Sequence, residues 1–123
     1  MGIARAKYTG STPGADANTY TLFTTVDGEI GKGFFQHADI HKVSLLLKFS
    51  QAGTLKWYES TDRGVNWRQI GQEAIAAPAA TADIERDYLV EALLDFKLDW
   101  VNGGAAQNPW DPNIALVDDR AAF

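Results

Sequence analysis

Two β-rich runs, Leu55-Lys56-Trp57-Tyr58-Glu59 and Val65-Asn66-Trp67-Arg68-Gln69-Ile70, flank the tip Ser60-Thr61-Asp62-Arg63-Gly64. Runs of this kind around an Asp-x-Gly tip specify a β-hairpin. The reversal needs a residue with positive φ, and Gly64 has no Cβ to oppose it. A hairpin fixed here commits the surrounding chain to sheet. The predicted structural motif is Ser60, Asp62, Gly64 and Trp67, with Asp62 accepting turn amides and Gly64 at positive φ.

Period-two patterning continues on either side. Tyr20 to Val26 reads as a first strand closed by Asp27-Gly28, and Val43 to Ser50 as a second, with Val43, Leu45, Leu47 and Phe49 on one face. The segment from Glu29 to His41 has no regular reading, because Gly31 and Gly33 interrupt it. Ala74 to Ala82, broken by Pro78, reads as a connector or weak edge segment. The longest patterned stretch is Ile84 to Val101, in which Leu94 to Trp100 alternates without exception. As one strand it would span roughly 60 Å, too long for a domain of this size, so a break near Asp87 or a bulge at Leu93-Leu94 is expected. A short helix over 82–93 competes there, since Glu85, Ala92 and Leu93 favour one. Asn102-Gly103-Gly104 is a turn, and Ile114 to Val117 a last strand.

About six to eight short strands with frequent turns predict an all-β fold, an antiparallel β-sandwich or jelly roll. Residues 1–18 are small and polar and predict a flexible N-terminal arm, ordered only against a neighbour. Residues 19–123 form the single expected domain.

The chain has 123 residues, a formal charge of −5 and no cysteine. Its eleven Lys and Arg are scattered, which opposes nucleic-acid binding. Disulfides, thiolate zinc sites and cysteine nucleophiles are excluded. Arg5 and Lys7 precede no apolar run, so no secretory signal is expected, and no apolar run is long enough for a membrane helix.

Candidate chemistry is sparse. His37 and His41 have metal-ligand spacing on a helix but lie about 13 Å apart on a strand, and no third ligand accompanies them. Asp83, Glu85 and Asp87 would line one strand face about 6.6 Å apart, a spacing suited to an inverting glycosidase or calcium; a solvated, charge-protected edge strand is the simpler reading. Asp95 and Asp99 are too far apart for a glycosidase pair. Gly28, Gly31 and Gly33 around Lys32 lack the rest of a phosphate loop, and no serine lies in Gly-x-Ser-x-Gly. The expectation is therefore no catalytic residue, no cofactor and no metal. Trp57 and Trp100 share the parity of core residues. Trp110, in Asn108-Pro109-Trp110-Asp111-Pro112, is either an interface ring or packing over the sandwich end.

The hairpin string also fits the Asp-box pattern Ser-x-Asp-x-Gly-x-x-Trp, which is scaffolding and names no reaction. Gly53 to Asp62 with Trp67, and Asp95 to Gly104 followed by Ala106-Gln107 and Ala115 to Arg120, resemble small virion proteins of tailed bacteriophages. Jelly-roll capsid decoration (cement) proteins are the nearest in size and character, followed by tail, neck or fibre-associated sandwiches. The resemblance implies a non-enzymatic structural protein made in the host cytoplasm and carried on the capsid surface. Its implied partners are copies of itself, as a homotrimer, and the major capsid protein, with neither nucleic acid nor membrane. A carbohydrate- or receptor-binding module is the alternative.

Overall fold

A computed structural model describes residues 3–26, 40–79, 82–90 and 94–118. Eight strands run in chain order: β1 (Ile3–Lys7), β2 (Thr19–Thr24), β3 (Ile40–Phe49), β4 (Gly53–Ser60), β5 (Arg68–Ile75), β6 (Ala82–Leu89), β7 (Asp95–Asn102) and β8 (Asp111–Asp118). The first pairs with the last, the second with the seventh, the third with the sixth and the fourth with the fifth, all antiparallel. The topology is that of one long hairpin folded at the β4–β5 turn and rolled up. Contacts of β3 with β8 and β4 with β7 divide it into sheets β1-β8-β3-β6 and β2-β7-β4-β5. That order is a jelly roll.

Alternation decides which side of each strand is buried. Val43, Leu45, Leu47 and Phe49 of β3 face inward with Ile114 and Leu116 of β8, against Leu55 of β4 and Phe96, Leu98 and Trp100 of β7. Each such side chain contributes about 1.5–3 kcal/mol by leaving water. Two strand glycines make room for indoles. A Cβ on Gly53 would sit 2.1 Å from Cζ2 of Trp100, and one on Gly71 2.3 Å from Cε2 of Trp57.

The sandwich side between edge strands β5 and β6 is closed by charge. Arg86 has the inward parity of Ile84 and Tyr88, and its guanidinium donates two 2.7 Å hydrogen bonds across to Glu73 on the opposite sheet. This fork lowers the Glu73 pKa and raises that of Arg86. An inward charge also makes β6 a poor template for a foreign strand.

One end of the sandwich is held by two buried amides, Asn102 and Gln107. The Asn102 side-chain nitrogen shares its two hydrogens among the carbonyls of Gly14, Asp16 and Ala105, at 2.9–3.0 Å. Its oxygen accepts from the Trp100 indole and from Gln107. Gln107 in turn accepts the amides of Ser50 and Gln51 and donates to the Gln51 carbonyl. Backbone bonds from Asn102 to Asn18 and from Gln107 to Pro13 complete the node.

Residues 3–18 therefore differ from the flexible arm predicted over 1–18. Ile3–Lys7 is an edge strand and 13–18 is bound to the amide node. The prediction weighed apolar area alone, whereas this segment is ordered by backbone hydrogen bonds, which small polar residues make equally well. The 82–93 helix is also corrected: 82–89 is strand β6, because pairing with β3 along its whole length outweighs weak local helix propensity. The long run breaks between Leu89 and Asp95, near Leu94, and β5 extends to Ile75, into the expected connector. The Glu29–Asp39 segment, with His37 and the Gly31-Lys32-Gly33 cluster, lies outside the described residues, as does Gly28.

Asn102→Leu should cost about 3 kcal/mol or more, because the Trp100 indole and the Gln107 amide lose a buried acceptor and three carbonyls lose a donor. Removing residues 2–18 should lower the melting temperature as well. Denaturant and thermal melts against exposed Lys48→Ala check both; unchanged stability would contradict the node's role.

Candidate functional site

The β4–β5 tip folds around two short polar side chains. The Ser60 hydroxyl accepts the Gly64 amide at 2.8 Å and donates to Asp62 Oδ1 at 2.6 Å. That same oxygen accepts the Asn66 amide at 2.9 Å, while Oδ2 accepts the Asn66 side chain at 2.8 Å. These bonds favour the charged carboxylate and hold the Asp62 pKa down at about 2, with the Ser60 bond contributing most. Gly64 has φ +82°, and Arg63 before it also lies in the left-handed region at +61°. Arg63 reaches back to Asp95, with Nε 3.5 Å from the carboxylate.

Trp67 returns the chain over the outer face of β2-β7-β4-β5. There the Lys97 ammonium sits 4.6 Å from the Tyr58 ring centre and 4.9 Å from that of Trp67. Lys97 also pairs with Asp99 at 3.6 Å, and Asp99 accepts the Thr21 hydroxyl at 2.8 Å. Asp95 accepts the Thr25 hydroxyl at 2.9 Å, and both carboxylates are buried although they point away from the core. Hydrogen bonds and neighbouring cations compensate that burial. This outer face is thus locked by its own side chains.

The four motif residues come together at one tip, as their spacing requires. Asn66 belongs to the same tip and was not singled out; its signal was an amide side chain beside a turn aspartate. Asp95 and Asp99 were weighed only as a glycosidase pair, and nothing local indicates that Thr25 and Thr21 meet them. Trp110 lies elsewhere, half-buried over the sandwich end, its ring 5.4 Å from Trp100 and 6.2 Å from Tyr8. Its indole nitrogen is buried with no hydrogen-bond partner. Asp83, Glu85 and Asp87 are exposed on edge strand β6, and among the described residues no group of three or more His, Cys, Asp or Glu could hold a metal ion.

No family model and no curated protein sequence matches the chain. Among solved structures it is similar to the PBSX exported protein XepA, with 17% identity and a TM-score of 0.66. The fold is shared. The match covers 94% of this chain but 37% of XepA, so the jelly roll corresponds to about a third of that protein. A structure of infectious bursal disease virus, Gx strain, matches with 17% identity over 98% of this chain and 34% of that one. Its TM-score of 0.41 is too low to bear on the fold.

Since the Asp62 pKa is about 2 in the folded chain against an ordinary 3.8, the hairpin's electrostatic support is complete above pH 4 and fades as pH falls from about 4 to about 2. An NMR titration of the Asp62 carboxyl should give the low midpoint, and a midpoint near the ordinary value would contradict the hydrogen bonding described. Gly64→Val should cost about 1–2 kcal/mol or more through its left-handed backbone. A Cβ there would also lie 2.9 Å from Cγ2 of Val26. Chemical denaturation measures the loss.

Proposed function

We propose that this chain is a non-enzymatic virion structural protein of a tailed bacteriophage. In its most specific form it is a decoration, or cement, protein that binds the assembled head shell. The observation that carries this reading is the strand order β1-β8-β3-β6 against β2-β7-β4-β5. Eight-stranded jelly rolls of this kind serve in viral capsid and lectin domains. The likeness to an exported protein of PBSX, a phage protein, adds support.

The state of the aromatic rings favours the structural reading over sugar binding. A lectin-like surface needs flat rings open to solvent for stacking. Here Trp100 is fully buried, Trp57 packs on Tyr88, Trp110 packs on Trp100 and Tyr8, and Lys97 covers Tyr58 and Trp67. Function then rests on surface contacts repeated over a shell, where effective concentration makes weak contacts sufficient. The partners are the major capsid protein and further copies of this chain as a homotrimer, with the solvent side of Trp110 as an interface anchor. Such a protein is made in the host cytoplasm and resides on the capsid surface. Because XepA is exported and much longer, a tail, neck or fibre-associated sandwich is the second reading.

Co-sedimentation with purified capsids and with tails separates these readings. The purified chain should pellet with heads in a saturable manner and raise their thermal stability. Binding to tails alone would favour the second reading, and retention on a glycan column without particle binding would overturn both.

A further inference from the structure

The outward face of β1-β8-β3-β6 is organised differently from its counterpart. Register places Arg5, Ala115, Ser44 and Asp87 in one row across the four strands, and Lys7, Asn113, Leu46 and Glu85 in the next. Cations occupy edge strand β1 and carboxylates occupy the opposite edge β6, in both rows. A third row carries Asp111 on β8 beside Lys48 on β3. Arg5, Lys7, Lys48, Glu85, Asp87 and Asp111 are all exposed, and none forms an ion pair with another described residue. Asp87 is oriented by the Ser44 hydroxyl, which donates to it at 2.6 Å. Between the two edges the short side chains of Ser44 and Ala115 leave a shallow recess of about 390 Å³, beside Leu46, which is 39% exposed.

We propose that this face pairs with the same face of a second copy of the chain, about a two-fold axis running parallel to the strands. In the four-strand order the axis falls between β8 and β3. It brings β1 of one copy over β6 of the other, and β8 over β3. Arg5 then meets the second copy's Asp87, Lys7 its Glu85, and Asp111 its Lys48, each contact occurring twice. Ser44 and Ala115 face each other across the recess, so two sheets can approach to about the usual 10 Å. A two-fold axis perpendicular to the strands within the same plane would exchange the rows and lose these pairings. Charge segregation therefore selects both the partner and the orientation.

Four strands about 4.8 Å apart, five to ten residues long at about 3.3 Å each, present roughly 500 Å² per chain. The pair would bury about 1,000 Å², the low end for a stable interface. Association is accordingly weak and salt-sensitive. It is also two-fold, and so separate from any three-fold contact on a shell. A chain using this contact alone forms dimers.

Sedimentation velocity and light scattering on the full chain, at about 0.5 mM and low ionic strength, are the test. The expected mass is an even multiple of the chain. Raising salt to about 0.5 M should weaken association on the order of tenfold, since the contacts are between exposed charges. Arg5→Glu/Lys7→Glu makes both edges acidic, and Glu85→Lys/Asp87→Lys makes both basic. Each variant by itself should lose the two-fold contact, halving the parent's mass while keeping its melting temperature, and an equimolar mixture should recover the parent's mass. The double exchange Lys48→Asp/Asp111→Lys preserves complementarity and should associate like the parent. A parent that is monomeric or purely trimeric under these conditions would overturn the proposal. So would single-edge variants that still associate, or a mixture of folded variants that does not. Capsid binding is read separately, so failure of this pairing leaves the shell assignment standing.

Discussion

Two carboxamides hold together what the rolled hairpin would otherwise leave loose. A jelly roll brings three segments far apart in sequence to one end of the sandwich, here residues 13–18, 50–53 and 102–108. Each arrives with unpaired backbone groups. Strand ladders cannot satisfy them, because the strands have ended. Asn102 and Gln107 carry both donors and acceptors, and between them they serve all three segments. Ser or Asp at either position would lack the geometry or the donors. Such a fully connected node is more specific than apolar packing, because a shifted register leaves several buried groups unpaired at once.

That node also shows what a sequence reveals and what it conceals. The hairpin at Ser60–Trp67 was legible because its interactions are local: Asp62, Gly64 and Asn66 lie within five positions of one another. The strands at β3 and β7 were legible through alternation, and the all-β class followed from them. β1 was not, because Ile-Ala-Arg-Ala-Lys has almost no pattern until β8 supplies its hydrogen bonds. The node was half visible. Asn102 continues the inward parity of Phe96, Leu98 and Trp100, so a polar residue was pointed at the core. Its partners are up to 88 residues away, and no spacing announces them. The break between β6 and β7 was forced by length alone, although its place was not.

The two outward faces of the sandwich present similar residue types in different electrostatic states. On one, Lys97, Asp99, Asp95 and Arg63 are gathered with threonines and rings into contacts within the chain, and two carboxylates are buried in doing so. A partner at that part of the face would first have to break those contacts. On the other, Arg5 and Lys7 stand on one edge strand and Asp87 and Glu85 on the opposite one, separated by two strands and thus about 14 Å apart. At that distance water and salt screen their attraction almost completely. A partner that brings complementary charges within ion-pair distance gains what the isolated chain cannot supply to itself.

This asymmetry limits what kind of function the fold can carry. Trp100 is buried, Trp57 packs on Tyr88, and Lys97 sits over the rings of Tyr58 and Trp67. What remains is extended, shallow and charged, a surface suited to another folded surface of similar breadth rather than to a small ligand. Contacts of that kind are weak one at a time and become effective through repetition. On the function proposed above, an ordered lattice of identical subunits would supply that repetition.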